Sequence, residues 1–177
     1  MTTVAKLIDE VAAARNNYLK QLEFISEQKA QLKSNADEWN VVEITEHLFW
    51  AEQGAILGMW KTITAIREGK IDRKYESDHR GMNVEKIIEL TWQEKEKVPA
   101  VAAPRMGGTL AFWSASLKSL QQVLAAFGNN LKDDELRILA HPHPISGDMD
   151  FQQRFEFLRF HIDRHKKQVG ELLKKLS

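Results

Sequence analysis

Residues 39–60, WNVVEITEHLFWAEQGAILGMW, carry the start signals and the period of a long amphipathic helix. Asn40 can cap it, and Glu43, three residues on, can reach back to the cap in a capping box. Trp39 and Ile44 stand at the two positions of a hydrophobic staple. Ile44, His47, Ala51, Gly54 and Gly58 recur at three- and four-residue steps, so they share one face. The periodic stretch continues through Ile66 to Gly69, a good C-terminal stop.

The same helical period extends outward in both directions. Leu7, Val11, Ala14, Tyr18, Leu22 and Ile25 mark one face of a first helix predicted over residues 3–32, stopping in residues 34–37. Residues 70–82 are polar and read as a loop, followed by a shorter helix over 83–97. After a Pro/Gly-marked loop, Thr109 caps a helix through Phe127, with Gly128 as its stop. Residues 131–149 hold a helical turn and then the extended HPHPISGDM. Asp150 caps the last helix, with Gln153 as its capping-box partner. Phe151, Phe155, Leu158, Ile162, Val169, Leu172 and Leu176 mark the buried side. No segment alternates as a strand. Residues 1–177 therefore read as one all-α domain, a four-helix bundle with one short extra helix. The short first connection predicts antiparallel neighbours, and the long second one leaves room for a crossover.

The chain has 177 residues, 25 Lys+Arg against 25 Asp+Glu, and a net charge of zero. That balance argues against a nucleic-acid partner. No apolar run approaches the roughly 20 residues of a membrane span, and the amphipathic start lacks a signal peptide's apolar core, so a cytoplasmic location is expected. With no cysteine, disulfides, thiolate ligands and a cysteine nucleophile are excluded.

Chemistry concentrates in the histidines. His161 and His165 lie one helical turn apart, a spacing that suits two ligands on one metal. With six histidines in the chain, about 0.2 such pairs arise by chance, so the pair alone is a weak signal. His47 strengthens it, because an imidazole on a buried stripe must find a partner or carry a desolvation cost. Three imidazoles leave an open coordination position, as in catalytic zinc sites. Zn²⁺, Ni²⁺ or Fe²⁺ suit imidazole, whereas Mg²⁺ and Ca²⁺ prefer oxygen. The competing reading makes His47 a hydrogen-bonded core histidine and the 161/165 pair solvated.

Gln168 follows on the same face as a candidate contact to a ligand or substrate. Glu43 lies one turn before His47, although its capping role already accounts for it. His143 precedes the last helix; since His161 is roughly 16 Å along that helix, His143 fits a pocket rim rather than the metal. His79 reads as solvated. The small residues 51, 54, 55 and 58 either leave space beside a metal or let two helices approach, and close packing is the favoured reading. A di-iron carboxylate site is excluded, since the only Glu-x-x-His spacing, Glu76 to His79, falls in a loop.

Two motifs together resemble the DinB/YfiT-like family. Trp39-Asn40-Val41-Val42-Glu43-Ile44-Thr45-Glu46-His47-Leu48 resembles its W-(S/N)-x-x-E-x-x-x-H-L signature. His143-Pro144-Ile145-Ser146-Gly147, with His161-Ile162-Asp163-Arg164-His165-Lys166-Lys167-Gln168, resembles its hP…G and H-x-x-x-H-x-x-Q segment. The resemblance implies a bundle of up-down-down-up topology with a long crossover, often a homodimer. It also implies a divalent metal, commonly zinc or nickel, on His47, His161 and His165. Activities in such a family are metal-dependent hydrolysis and transfer with a low-molecular-weight thiol cosubstrate. The expectation is thus a metal-dependent enzyme acting on a small molecule. The alternative is a non-enzymatic bundle whose structural or vestigial metal supports dimerisation or partner binding.

Overall fold

The computed structural model describes residues 1–92 and 98–177. Its helices are α1 (Thr3–Leu22), α2 (Glu27–Ala30), α3 (Val41–Arg67), α4 (Val84–Thr91), α5 (Leu110–Asn130) and α6 (Phe151–Lys175), with one 3₁₀ turn at Asp133–Glu135. The described residues include no strand, only isolated bridges at Leu139–Asp150 and His143–Gly147. None of the described helices is long and apolar enough to cross a membrane. The all-α expectation holds.

The four long helices form a ring in which α1 packs on α6, α6 on α3, α3 on α5 and α5 on α1. Contacts at their ends set the directions. Arg67, closing α3, meets Asn130 at the end of α5 and Glu135 in the turn just beyond it, so α3 and α5 run in parallel. Thr3 and Val4, opening α1, donate to Asp133 just beyond α5, so α1 runs against it. Lys175, closing α6, pairs with Glu38 just before α3, so α6 runs against α3. The short first connection therefore does not make lateral neighbours. Instead α1 and α3 face each other across the ring, joined through its centre by Tyr18 Oη to Thr45 Oγ1 at 2.8 Å and by the buried pair Arg15–Glu52.

The caps form as their sequences dictate. Asn40 Oδ1 accepts from Glu43 N at 2.8 Å while Glu43 Oε2 accepts from Asn40 N at 2.9 Å. Asp150 and Gln153 make the same reciprocal pair at 2.8 and 2.9 Å. Gln153 also donates to the carbonyls of His79 and Met82, tying the 70–82 connection to the start of α6. His79 is therefore not simply solvated, since its Nδ1 also meets the Asp148 carbonyl at 2.7 Å.

Three boundaries differ from expectation, the first two for a physical reason. The first helix ends at Leu22, because Ser26 adopts extended backbone and accepts from Lys29 N as the cap of α2. Periodicity alone does not register such a local competitor for the backbone. Helix α5 continues through Gly128 to Asn130. Gly128 is a packing residue rather than a stop, since a Cβ there would lie 1.8 Å from Ile8 Cδ1 on α1. Helix α4 ends at Thr91, with Trp92 in extended backbone. The remainder of the predicted 83–97 helix, residues 93–97, lies outside the described residues.

Candidate metal centre

Helices α3 and α6 pack through apolar faces on which Ile44, Leu48, Leu158 and Ile162 are buried. His47 sits between the first pair, and His161 and His165 flank Ile162, so packing these faces brings the three imidazoles together. They are 5%, 9% and 7% exposed respectively. His47 Nε2 lies 3.2 Å from His161 Nε2, which lies 3.1 Å from His165 Nε2. All three candidate ligand atoms fall within 4.8 Å of one another. The alternative of a solvated 161/165 pair is overturned by this burial.

Two of the rings are oriented from behind. His47 Nδ1 donates to the Ala102 carbonyl at 2.8 Å. His165 Nδ1 donates to Gln168 Oε1 at 2.7 Å. A neutral imidazole carries one N–H, so both rings turn a bare Nε2 lone pair toward His161. His161 can offer at most one proton, leaving more lone pairs than donors in a buried space. Burial lowers the His47 pKa, although the Ala102 carbonyl opposes it. Burial and the His47 ring push His165 down to about 3, against the opposing Gln168 contact. Burial and the neighbouring imidazoles hold His161 well below its ordinary value. All three are neutral at neutral pH, the ligand form. His47, His161 and His165 would hold a borderline-soft cation through these converging nitrogens.

Beside the cluster lies a cavity of about 260 Å³. Its walls include Trp50, Ala51 and Gly54 from α3, Phe157 and Leu158 from α6, and Val98, Pro99, Val101 and Ala102. The small residues at 51, 54 and 55 therefore face this space rather than a close helix contact, which corrects the packing expectation. Nothing stands within 4 Å of where a Gly54 Cβ would lie. At Gly58 a Cβ would fall 2.4–2.6 Å from ring atoms of His141, so this glycine seats an imidazole against α3.

Other candidate residues take varied places. His143 lines the cavity, accepts from Ser146 N through Nδ1 at 3.1 Å and packs 4.3 Å from the Phe157 ring. Glu43 contacts no imidazole. Its carboxylate is engaged by the cap and by Lys33 Nζ at 2.8 Å, so a role for it beside the metal or substrate is withdrawn.

Sequence reasoning missed two residues. Glu46 is fully buried, and its carboxylate accepts from Arg105 N and Met106 N at 2.8 Å, Gly107 N at 3.1 Å and Trp50 Nε1 at 3.1 Å. Burial raises its pKa, but these donors outweigh burial and hold it below the ordinary carboxylate range. Glu46 thereby pins the segment whose Ala102 orients His47. Arg154 lines the cavity and is 3% exposed. Helical spacing was the available signal, because Arg154, Leu158, His161 and His165 fall on one face of α6.

A family model described as DinB superfamily matches residues 10–169. The uncharacterized protein YuaE of Bacillus subtilis (strain 168) is 23% identical over 168 residues, covering 93% of this chain and 95% of YuaE. A crystal structure of a conserved protein from Enterococcus faecalis superposes with a TM-score of 0.60 at 12% identity, over 99% of this chain and 97% of that one. The last likeness concerns the fold. With the family model spanning nearly the whole bundle and all three converging histidines, the chain belongs to the DinB superfamily.

Proposed function

We propose that the chain is a metal-dependent enzyme working at His47, His161 and His165 on a small molecule held in the adjoining cavity. One observation carries this reading. Two of the imidazoles spend their only N–H outward, on Ala102 and Gln168, so that three Nε2 atoms converge with a surplus of lone pairs. Zn²⁺ or Ni²⁺ suits the donor set, with Fe²⁺ acceptable. Such a cation, when bound, lowers the pKa of a water or thiol and stabilises developing negative charge. The chain's own residues hold the three rings neutral and aimed, and the cavity beside them has room for a small molecule. The chain has no cysteine, so thiol transfer requires a low-molecular-weight thiol cosubstrate, whereas hydrolysis requires none. The open cavity favours this reading over a sealed structural or vestigial metal site in a non-enzymatic bundle. A homodimer in the cytoplasm belongs to the same proposal.

The test is metal content by mass spectrometry on untagged protein prepared without chelator, beside His161→Ala. The expected result is about one equivalent of zinc or nickel in the wild type, lost in the variant. Wild-type protein that carries no metal and takes up neither Zn²⁺ nor Ni²⁺ on titration overturns the proposal.

A further inference from the structure

Arg154 is unusual among the buried groups of this chain. It leaves α6 on the face that carries His161 and His165, and it lines the same cavity. Among the described residues its Nε and Nη1 meet no hydrogen-bond partner. Its Nη2 has only a long contact, 3.4 Å, to His141 Nε2, and its Cζ lies 6.0 Å from the centre of the Phe157 ring. His141 Nδ1 is likewise buried without a partner, on the ring that Gly58 admits against α3. Burying a cation without a counter-charge costs several kcal/mol. Native proteins rarely leave such donors unsatisfied unless something outside the chain completes them.

We propose that Arg154, assisted by His141, recognises a carboxylate on a small, largely apolar substrate whose reactive end lies at the three-histidine cluster. The reactive end rests on the metal-centre reading above; the anionic end rests on Arg154 alone. Charge and shape favour a carboxylate over a phosphate ester. Burial lowers the Arg154 pKa only to about 10, so it stays cationic at neutral pH, while burial and Arg154 hold His141 at about 4 and neutral. The second arginine lining the cavity, Arg164, lies over the Trp92 ring with Cζ 4.3 Å from its centre. One guanidinium with unused donors matches a planar monoanion in charge and geometry. The walls at Ala51, Gly54, Val101 and Leu158 offer the rest of the substrate only apolar contact.

The test is calorimetric binding of benzoate, its uncharged counterpart benzamide and inorganic phosphate to the full chain, zinc-loaded and metal-free, with zinc uptake measured on the same samples. Benzoate is expected to bind both forms roughly 10- to 100-fold more tightly than benzamide, as hydrogen bonds to a charged partner imply. Arg154→Met should abolish that preference while retaining zinc uptake, and Arg154→Lys should restore part of it. Equal binding of acid and amide by the wild type overturns the inference without needing any variant to fold. So does a preference for phosphate over benzoate, or benzoate binding that requires zinc and ignores Arg154→Met. If zinc is not taken up while Arg154-dependent benzoate binding persists, the carboxylate site stands and the metal reading falls alone.

Discussion

Two arginines are buried in this bundle, and they meet opposite circumstances. Arg15, 1% exposed, pairs with Glu52 across the centre of the ring and donates to Gln121 on α5. Arg154, 3% exposed, lines a cavity, and its Nε and Nη1 are buried and unmatched among the described residues. The first charge is neutralised by the fold itself, which ties α1, α3 and α5 together. The second is left for something that is not part of the fold. Burial alone therefore says little about the role of a charged side chain; what matters is whether the chain or a ligand completes it.

The contrast is open to direct attack, and the largest effect should come from Arg15. Removing one partner of a buried ion pair strands the other, so Arg15→Met should cost about 3–5 kcal/mol in urea unfolding. Arg154→Met should cost less than about 1 kcal/mol, or stabilise the chain, because it removes an uncompensated charge. Equal losses at the two positions would erase the distinction.

Glu46 comes next. Replacing it with Gln weakens charge-assisted contacts to three backbone N–H groups, for an expected loss of about 1.5–3 kcal/mol. The folded carboxyl lies below its ordinary value, so its contribution is complete above the unfolded pKa near 4.3 and disappears as pH falls through the lower folded value. The stability gap between wild type and Glu46→Gln should accordingly be constant near neutrality and close below about pH 4.

Gly128→Ala should cost about 1–3 kcal/mol through overpacking against Ile8, with the loss relieved when Ile8→Ala is added. A small stability effect is expected at Gly58→Ala, within about 1 kcal/mol, because the helix propensity gained by alanine offsets displacement of the His141 ring. Its readout is binding: benzoate affinity should fall while zinc uptake is unchanged.

Much of this was legible in the residues. The Asn40/Glu43 and Asp150/Gln153 capping boxes located the two helices that bear the histidines. His47 declared itself by standing on an apolar stripe. What escaped was information carried by contacts between segments. Gly128 has the residue type of a helix stop, and only Ile8 on another helix reveals it as a packing residue. Ser26 breaks a period that the apolar positions continue unbroken. Glu46 is singled out by no period or motif role, and only backbone from 59 or more positions away, closing over it, reveals what it does. Arg154 lay on the histidine face of α6, but a single arginine on a buried stripe does not say whether a carboxylate awaits it.

Glu46 and His47 are adjacent in sequence and grip the same connecting segment beside the cavity, one through the 105–107 amides and the other through the Ala102 carbonyl. The segment and the donor set are consequently interlocked. Any displacement of that segment large enough to break the Ala102 contact also releases the Nδ1 proton of His47, which is then free to migrate and occupy the nitrogen that faces the other two rings. Cutting the chain within residues 98–108 should thus be felt as a change of tautomer at an intact histidine.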